Sequence, residues 1–188
     1  QSPANLVSDL YAVTGDILHK KGEEQEAFAA YDSCLQWKDD NVMALNNYAY
    51  YLSEKGVDLH KAESMSYKTI KAEPNNGTYL DTYAWILFME ERYADAKTYI
   101  DQALKNRDST ADNSTVLEHA GDIYYMNGMT DESVDFWKKA YTGENQTEVL
   151  AWKIKNRQYI TGEELKKRNA SKQKPAATKK SVRKGKKK

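Results

Sequence analysis

Residues 41–74, NVMALNNYAYYLSEKGVDLHKAESMSYKTIKAEP, and residues 78–106, TYLDTYAWILFMEERYADAKTYIDQALKN, decide the fold, because each reads as two short helices joined by a turn. In the first stretch Leu45, Ala49 and Leu52 recur at helical spacing up to Gly56, and the pattern resumes from Leu59 until Pro74, which cannot continue a helix. In the second, Leu80, Ala84 and Leu87 run to Glu91, and Ala96, Ile100 and Ala103 follow. Working outward, Gly15 and Gly121 hold the place of Ala49 and Ala84, so the small residue returns after 34, 35 and 37 residues. A period of that size predicts stacked helix pairs. Apolar spacing places helices near 5–21, 24–37, 41–55, 59–72, 78–91, 93–106, 112–127 and 130–142, and no window alternates like a strand. Gly22, Gly56 and Gly128 stand where first helices stop and accept positive φ; the third unit has Glu91 there, so that turn should be closed differently.

At 188 residues and 40% hydrophobic content the chain can form one elongated domain plus a tail. No apolar run approaches the roughly 20 residues that cross a bilayer, and no charged start plus apolar stretch marks a signal peptide; Gln1 reads as a mature or fragment start, upstream of which an anchor or targeting segment could lie. The single Cys34 excludes an internal disulfide. The net charge of zero conceals a segregation, since residues 166–188 hold 12 Lys or Arg and no acid, leaving 16 basic against 28 acidic residues before them. Such a tail is expected to be disordered.

The repeated skeleton resembles the tetratricopeptide repeat. It is carried by Tyr11, Gly15, Leu18, Gly22, Ala27 and Tyr31 in unit one, and by Leu45, Ala49, Leu52, Gly56, Ala62 and Pro74 in unit two. Unit three contributes Leu80, Ala84, Leu87, Tyr93, Ala96, Ile100 and Ala103, and unit four Leu117, Gly121, Tyr124, Gly128, Trp137 and Ala140. Ser66 departs from the pattern where a bulky residue is usual, and Ser133 where Ala is usual. The resemblance implies an all-α, right-handed α-solenoid over residues 1–145, with units near 8–41, 42–76, 77–110 and 114–146. A capping helix is expected over 147–160 and a basic tail over 161–188. The run from Asn46 to Leu104 is also similar to tetratricopeptide proteins of gut Bacteroidetes. Compartment stays open: bacterial periplasm, envelope or cytoplasm, or the nucleus of a eukaryote.

In this family the first helix of each pair lines a concave groove that takes a protein or peptide segment. Carried onto this sequence, the groove would be acidic and aromatic, built from Asp16, Asn47, Tyr50, Asp81, Trp85, Phe88, Glu118, Asp122 and Tyr125. Asn47 matches the asparagine of the two-carboxylate clamp in chaperone-binding members, but the clamp's basic partners are absent, so a basic or neutral ligand with an aromatic or aliphatic anchor is expected. The aromatics have an equally weighted reading as inter-repeat core. The tail is a possible ligand for the chain's own acidic body. Alternatively, Lys179, Lys180, Arg183, Lys184, Lys186, Lys187 and Lys188 could contact nucleic acid or an anionic membrane surface through charge alone. Neither catalysis, a cofactor nor a metal is expected: His19, His60 and His119 fall in separate units without ligand spacing, and no phosphate-binding glycine motif occurs.

Overall fold

The computed structural model describes residues 2–172. Its α-helices are α1 (Pro3–Lys20), α2 (Glu24–Trp37), α3 (Val42–Lys55), α4 (Leu59–Ala72), α5 (Gly77–Met89), α6 (Tyr93–Asn106), α7 (Ser114–Met126), α8 (Thr130–Ala140), α9 (Glu148–Asn156) and α10 (Gly162–Lys172). Helices α1 to α8 pack as four consecutive pairs, and each second helix meets the first helix of the next pair. The first helices α1, α3, α5 and α7 also touch in succession, which lines them along one face. The result is an all-α solenoid.

Each pair crosses on one size-matched contact. Sixteen residues after the small residue of the first helix stands the residue that fills the crossing: Tyr31 after Gly15, Met65 after Ala49, Ile100 after Ala84 and Trp137 after Gly121. The two glycines face the two rings. A Cβ on Gly15 would lie 2.6 Å from Tyr31, and one on Gly121 would lie 2.3 Å from Trp137. Where the partner is Met or Ile, alanine is accommodated. Ser66 is therefore no gap in unit two, because Met65 fills the crossing beside it. Ser133 is buried and donates from Oγ to the Gly121 carbonyl at 2.8 Å.

All four turns within pairs close alike. The N–H of Glu23, Val57, Arg92 and Met129 donates to the carbonyl of Leu18, Leu52, Leu87 and Tyr124, and the preceding N–H makes the shorter bond back to His19, Ser53, Phe88 and Tyr125. This double closure is the Schellman motif. Unit three corrects the expectation of a different turn: Glu91 adopts φ 61 where the others have glycine. A left-handed non-glycine residue costs about 1–2 kcal/mol, part of which glycine returns through unfolded-chain entropy. Glu91→Gly is expected to raise stability by about 0.5–1 kcal/mol, measured by urea unfolding; a loss would show that the Glu91 side chain outweighs its backbone.

Between pairs, Asn41 caps α3 by accepting from Ala44 N–H at 3.1 Å, and Asn76 caps α5 from Thr78 and Tyr79. Asn113 precedes α7 without a side-chain cap; Asp112 accepts from Ser114 N–H at 2.9 Å instead. The C-terminal boundary moves. The expected capping helix is α9, ended by Arg157 at φ 54, and a further helix, α10, occupies the start of the segment expected to be tail, seated by buried Leu165.

Candidate functional site: the concave cleft

The ends of α3, α5 and α7 converge on an open cleft of about 630 Å³, bounded by Asn46, Asn47 and Tyr50 of α3, Thr78, Asp81 and Thr82 of α5, and Thr115 of α7. Its rim is formed by Asn75, Asn76 and the loop carrying Asn106, Arg107, Asp108, Asp112 and Asn113. Asn46 is 6% exposed and donates from Nδ2 to Asn47 Oδ1 at 3.2 Å, while its own Oδ1 is buried without a partner. Leaving a buried carbonyl unpaired costs about 1–3 kcal/mol, so Asn46 Oδ1 is a poorly satisfied acceptor in a residue that borders the cleft. Asn47 is held in turn by Asp16, whose Oδ1 accepts from Asn47 Nδ2 at 2.9 Å and also from the Tyr31 hydroxyl. Hydrogen bonds from Thr110 keep Asp108 below the usual carboxylate range, and those from Ser114 do the same for Asp112. With Asp81 they set three carboxylates against Arg107 around the opening.

A second cleft of about 470 Å³ adjoins the first at Tyr50 and is partly filled by the chain's own C-terminal segment. Lys153 of α9, 3% exposed, reaches Asp122 at 2.7 and 2.9 Å and Glu118 at 3.1 Å. Asp122 also accepts from Trp137 Nε1 at 2.8 Å. Burial raises the Asp122 carboxyl, an effect that Lys153 and Trp137 offset only in part. Beyond α9, Tyr159 sets its ring edge against Phe88 at 5.7 Å between centroids, and Ile160 is buried. The Trp85 ring lies between Phe88, stacked at 4.7 Å, and His119, stacked at 4.1 Å, with Nε1 donating to Glu54 Oε1 at 2.9 Å.

His119 is buried and its Nδ1 lies 2.9 Å from Asp81 Oδ1. Burial pushes its pKa down, but Asp81 and then Glu54 and Asp122 push it up by more, so the ring titrates above its usual 6.5. Its protonated form is therefore favoured in the fold. The stability this adds is fully present below pH about 6.5 and lost as pH rises through the higher folded value. The melting temperature should fall across that rise, and His119→Gln should flatten the fall; a melting temperature that climbs there would contradict the assignment.

The nine residues expected in one groove thus divide. Asn47, Tyr50 and Asp81 line the open cleft; Trp85, Glu118 and Asp122 line the second, again with Tyr50. Asp16, Phe88 and Tyr125 line neither: Asp16 supports Asn47, Phe88 is buried against Trp85, and Tyr125 packs beside Trp137. Trp85 and Phe88 are 9% and 5% exposed, which corrects their expected role as ligand pockets: Tyr159 and His119 already cover them. Glu118, Asp122 and Asp81 are paired with Lys153 and His119, so the free acidity expected of the inner face is confined to the rim. Glu54 and Lys153 were missed. Lys153 shares a helix face with Leu150 three residues earlier, and that apolar register was the available signal for an inward lysine.

The chain's own segment does occupy part of the inner face, but it is Lys153 to Ile160, ahead of the basic stretch expected to dock. Lys179, Lys180, Arg183, Lys184, Lys186, Lys187 and Lys188 lie outside the described residues. Among the described residues no group of three His, Cys, Asp or Glu is placed to hold a metal, and no helix is long and apolar enough to cross a membrane.

Four stacked pairs, a lined inner face and a folded-back terminal segment define a helical-repeat scaffold. Its fold is that of tetratricopeptide repeat proteins. The chain is 35% identical over 66 residues to a TPR repeat-containing protein of Pseudomonas aeruginosa, a match spanning 35% of this chain and 11% of that protein. Its fold is similar to Pseudomonas aeruginosa PilF, with TM-score 0.69, 16% identity, 90% of this chain and 72% of that chain covered. It is also similar to a tetratricopeptide repeat protein of Parabacteroides merdae, with TM-score 0.62, 20% identity, 80% of this chain and 57% of that chain covered. No family profile matches the chain.

Proposed function

We propose that this chain is a non-enzymatic interaction module that holds an extended polypeptide segment in the open cleft between α3, α5 and α7. The carrying observation is the buried, unpartnered Asn46 carbonyl at the wall of a cleft otherwise lined by side-chain amides, hydroxyls and carboxylates. Such groups match the alternating donors and acceptors of a peptide backbone, and an incoming N–H would satisfy Asn46. Tyr50 offers the anchor surface, half-buried where the two clefts join. Asp108 and Asp112 at the rim favour a basic or neutral segment.

A tiled array of peptides of varied charge, probed with labelled protein, tests this reading. Basic and neutral peptides with one aromatic or aliphatic residue should bind, and Asn47→Ala or Tyr50→Ala should weaken them about tenfold or more, since each such contact is worth roughly 1.4 kcal/mol or above. Binding that survives both substitutions would move the site elsewhere.

A further inference from the structure

The two clefts share one wall, and the wall carries an ion pair. Tyr50 and Thr115 line both clefts, Asp81 lines the open one and His119 the second. His119 Nδ1 reaches across, 2.9 and 3.1 Å from the two Asp81 oxygens. The Asp81 side chain is 13% exposed and that of His119 7%. The carboxylate therefore borders the open cleft, while the group that balances its charge stands behind the wall. Nδ1 is the donor bonded to Asp81 among the described residues, so the two oxygens keep lone pairs for a second donor arriving through the cleft.

The acids around His119 are not served alike. They are Glu54 of α3, Asp81 of α5, and Glu118 and Asp122 of α7; Lys153 of α9 and the phenols of Tyr50 and Tyr159 complete the surroundings. Lys153 bonds to Glu118 and Asp122, whereas Glu54 is open to water and accepts from Trp85 Nε1. Asp81 is left to an imidazole, the side chain whose charge ordinarily changes closest to neutral pH. Burial opposes the charge on His119, but Asp81 first and then Glu54 and Asp122 keep it protonated to a pH above the usual 6.5. Below that titration Asp81 is neutralised from behind, and above it the carboxylate stands uncompensated at the cleft wall. The rim acids give no such step, because hydrogen bonds from Thr110 and Ser114 hold Asp108 and Asp112 below the usual carboxylate range.

An ammonium or guanidinium seated on Asp81 would come within about 4–7 Å of the imidazole, where like charges repel by more than the thermal energy at an effective dielectric of about 20. Cation and proton then compete for one carboxylate. The competition is reciprocal: raising the pH strengthens cation binding, and cation binding expels the proton to solvent.

We propose that Asp81 seats a lysine or arginine head group of the held segment and that the His119 proton competes for this seat, so that a basic segment is bound more tightly as pH rises through the neutral range. Resting on the open cleft as a polypeptide site, this assigns the side chain that is recognised there and the condition that regulates it. The deprotonation that lowers the melting temperature is the one that opens the seat.

The probes are the tightest-binding lysine peptide of the array, free of histidine and acetylated at its N-terminus, and the same peptide with norleucine for lysine. Neither changes charge between pH about 6 and about 9. Over that range fluorescence anisotropy should show the lysine peptide gaining about tenfold in affinity and the norleucine peptide none. His119→Gln should hold the lysine peptide near its high-pH affinity throughout, and Asp81→Asn should leave it about tenfold weaker and independent of pH. Calorimetry of the unaltered chain in two buffers of different ionisation enthalpy should detect up to about one proton released per lysine peptide bound and none with norleucine, which decides the question if either variant fails to fold. Binders that are all neutral, a lysine-peptide affinity flat with pH, an equal rise for norleucine, or a rise that survives His119→Gln overturns the proposal while leaving the open cleft as a binding site. An array in which no peptide binds removes the cleft and its Asp81 seat together.

Discussion

Lys153→Ala is expected to lower stability by about 3–5 kcal/mol, because it strands the Asp122 carboxylate, 3% exposed, with Trp137 Nε1 as its remaining donor. Lys153 also holds Glu118, so both carboxylates of α7 lose their counter-charge together. For a chain of this size the melting temperature should drop by about 10 °C or more. Adding Asp122→Asn to Lys153→Met removes both charges and should recover much of the loss, since an uncharged pair of similar volume can equal a buried ion pair. A single variant within about 1 kcal/mol of the parent, the ceiling for exposed pairs, would mean that water reaches Asp122 and the pair behaves as a surface bridge.

Gly121→Ala should also destabilise, by about 2–3 kcal/mol, against a helix propensity that favours alanine by nearly 1 kcal/mol. The new methyl would meet the Trp137 ring at 2.3–3.0 Å, and Trp137 is fully buried and held by its bond to Asp122. Trp137→Met in the same chain reproduces the Ala49–Met65 crossing of unit two and should return part of the loss. Equilibrium urea unfolding of the single and double variants measures the coupling. A stabilising Gly121→Ala would show that α7 and α8 separate at no cost.

The fold was legible because its determinants are local. Gly15, Ala49, Ala84 and Gly121 mark the crossings, and the period they set follows from the fixed length of a helix pair. The Glu91 turn was misread because composition reports where a left-handed residue is easy, whereas the Schellman bonds to Leu87 and Phe88 impose one where it is strained. Helix α10 was hidden by its charge; its lysines stay in water, while buried Leu165 seats the helix and Arg168 and Asn169 reach Trp152 and Glu148 of α9.

The site was less legible for a reason of distance. Helical spacing puts Trp85 and Phe88 on the inner side of α5, but says nothing about Tyr159, more than 70 residues later, which returns to cover that side. Lys153 likewise reads as a surface charge until α9 is laid against α7. Asn47 and Tyr50 line the open cleft, where among the described residues the C-terminal segment does not reach, and the loop that frames it, 106–113, carried no periodicity to read.

The anchorage of α9 makes the array mechanically lopsided. In a stack where each unit leans on its neighbours, unravelling proceeds from whichever end is cheaper to peel. Units three and four are riveted by the Lys153 cluster and the Tyr159 wedge, while the first pair leans on the second alone, through α1 and α2 against α3. A pull on both ends would strip α1 and α2 first, and the open cleft sits where the compliant half meets the stiff one. A polypeptide held there spans the seam of the spring and would resist its stretching.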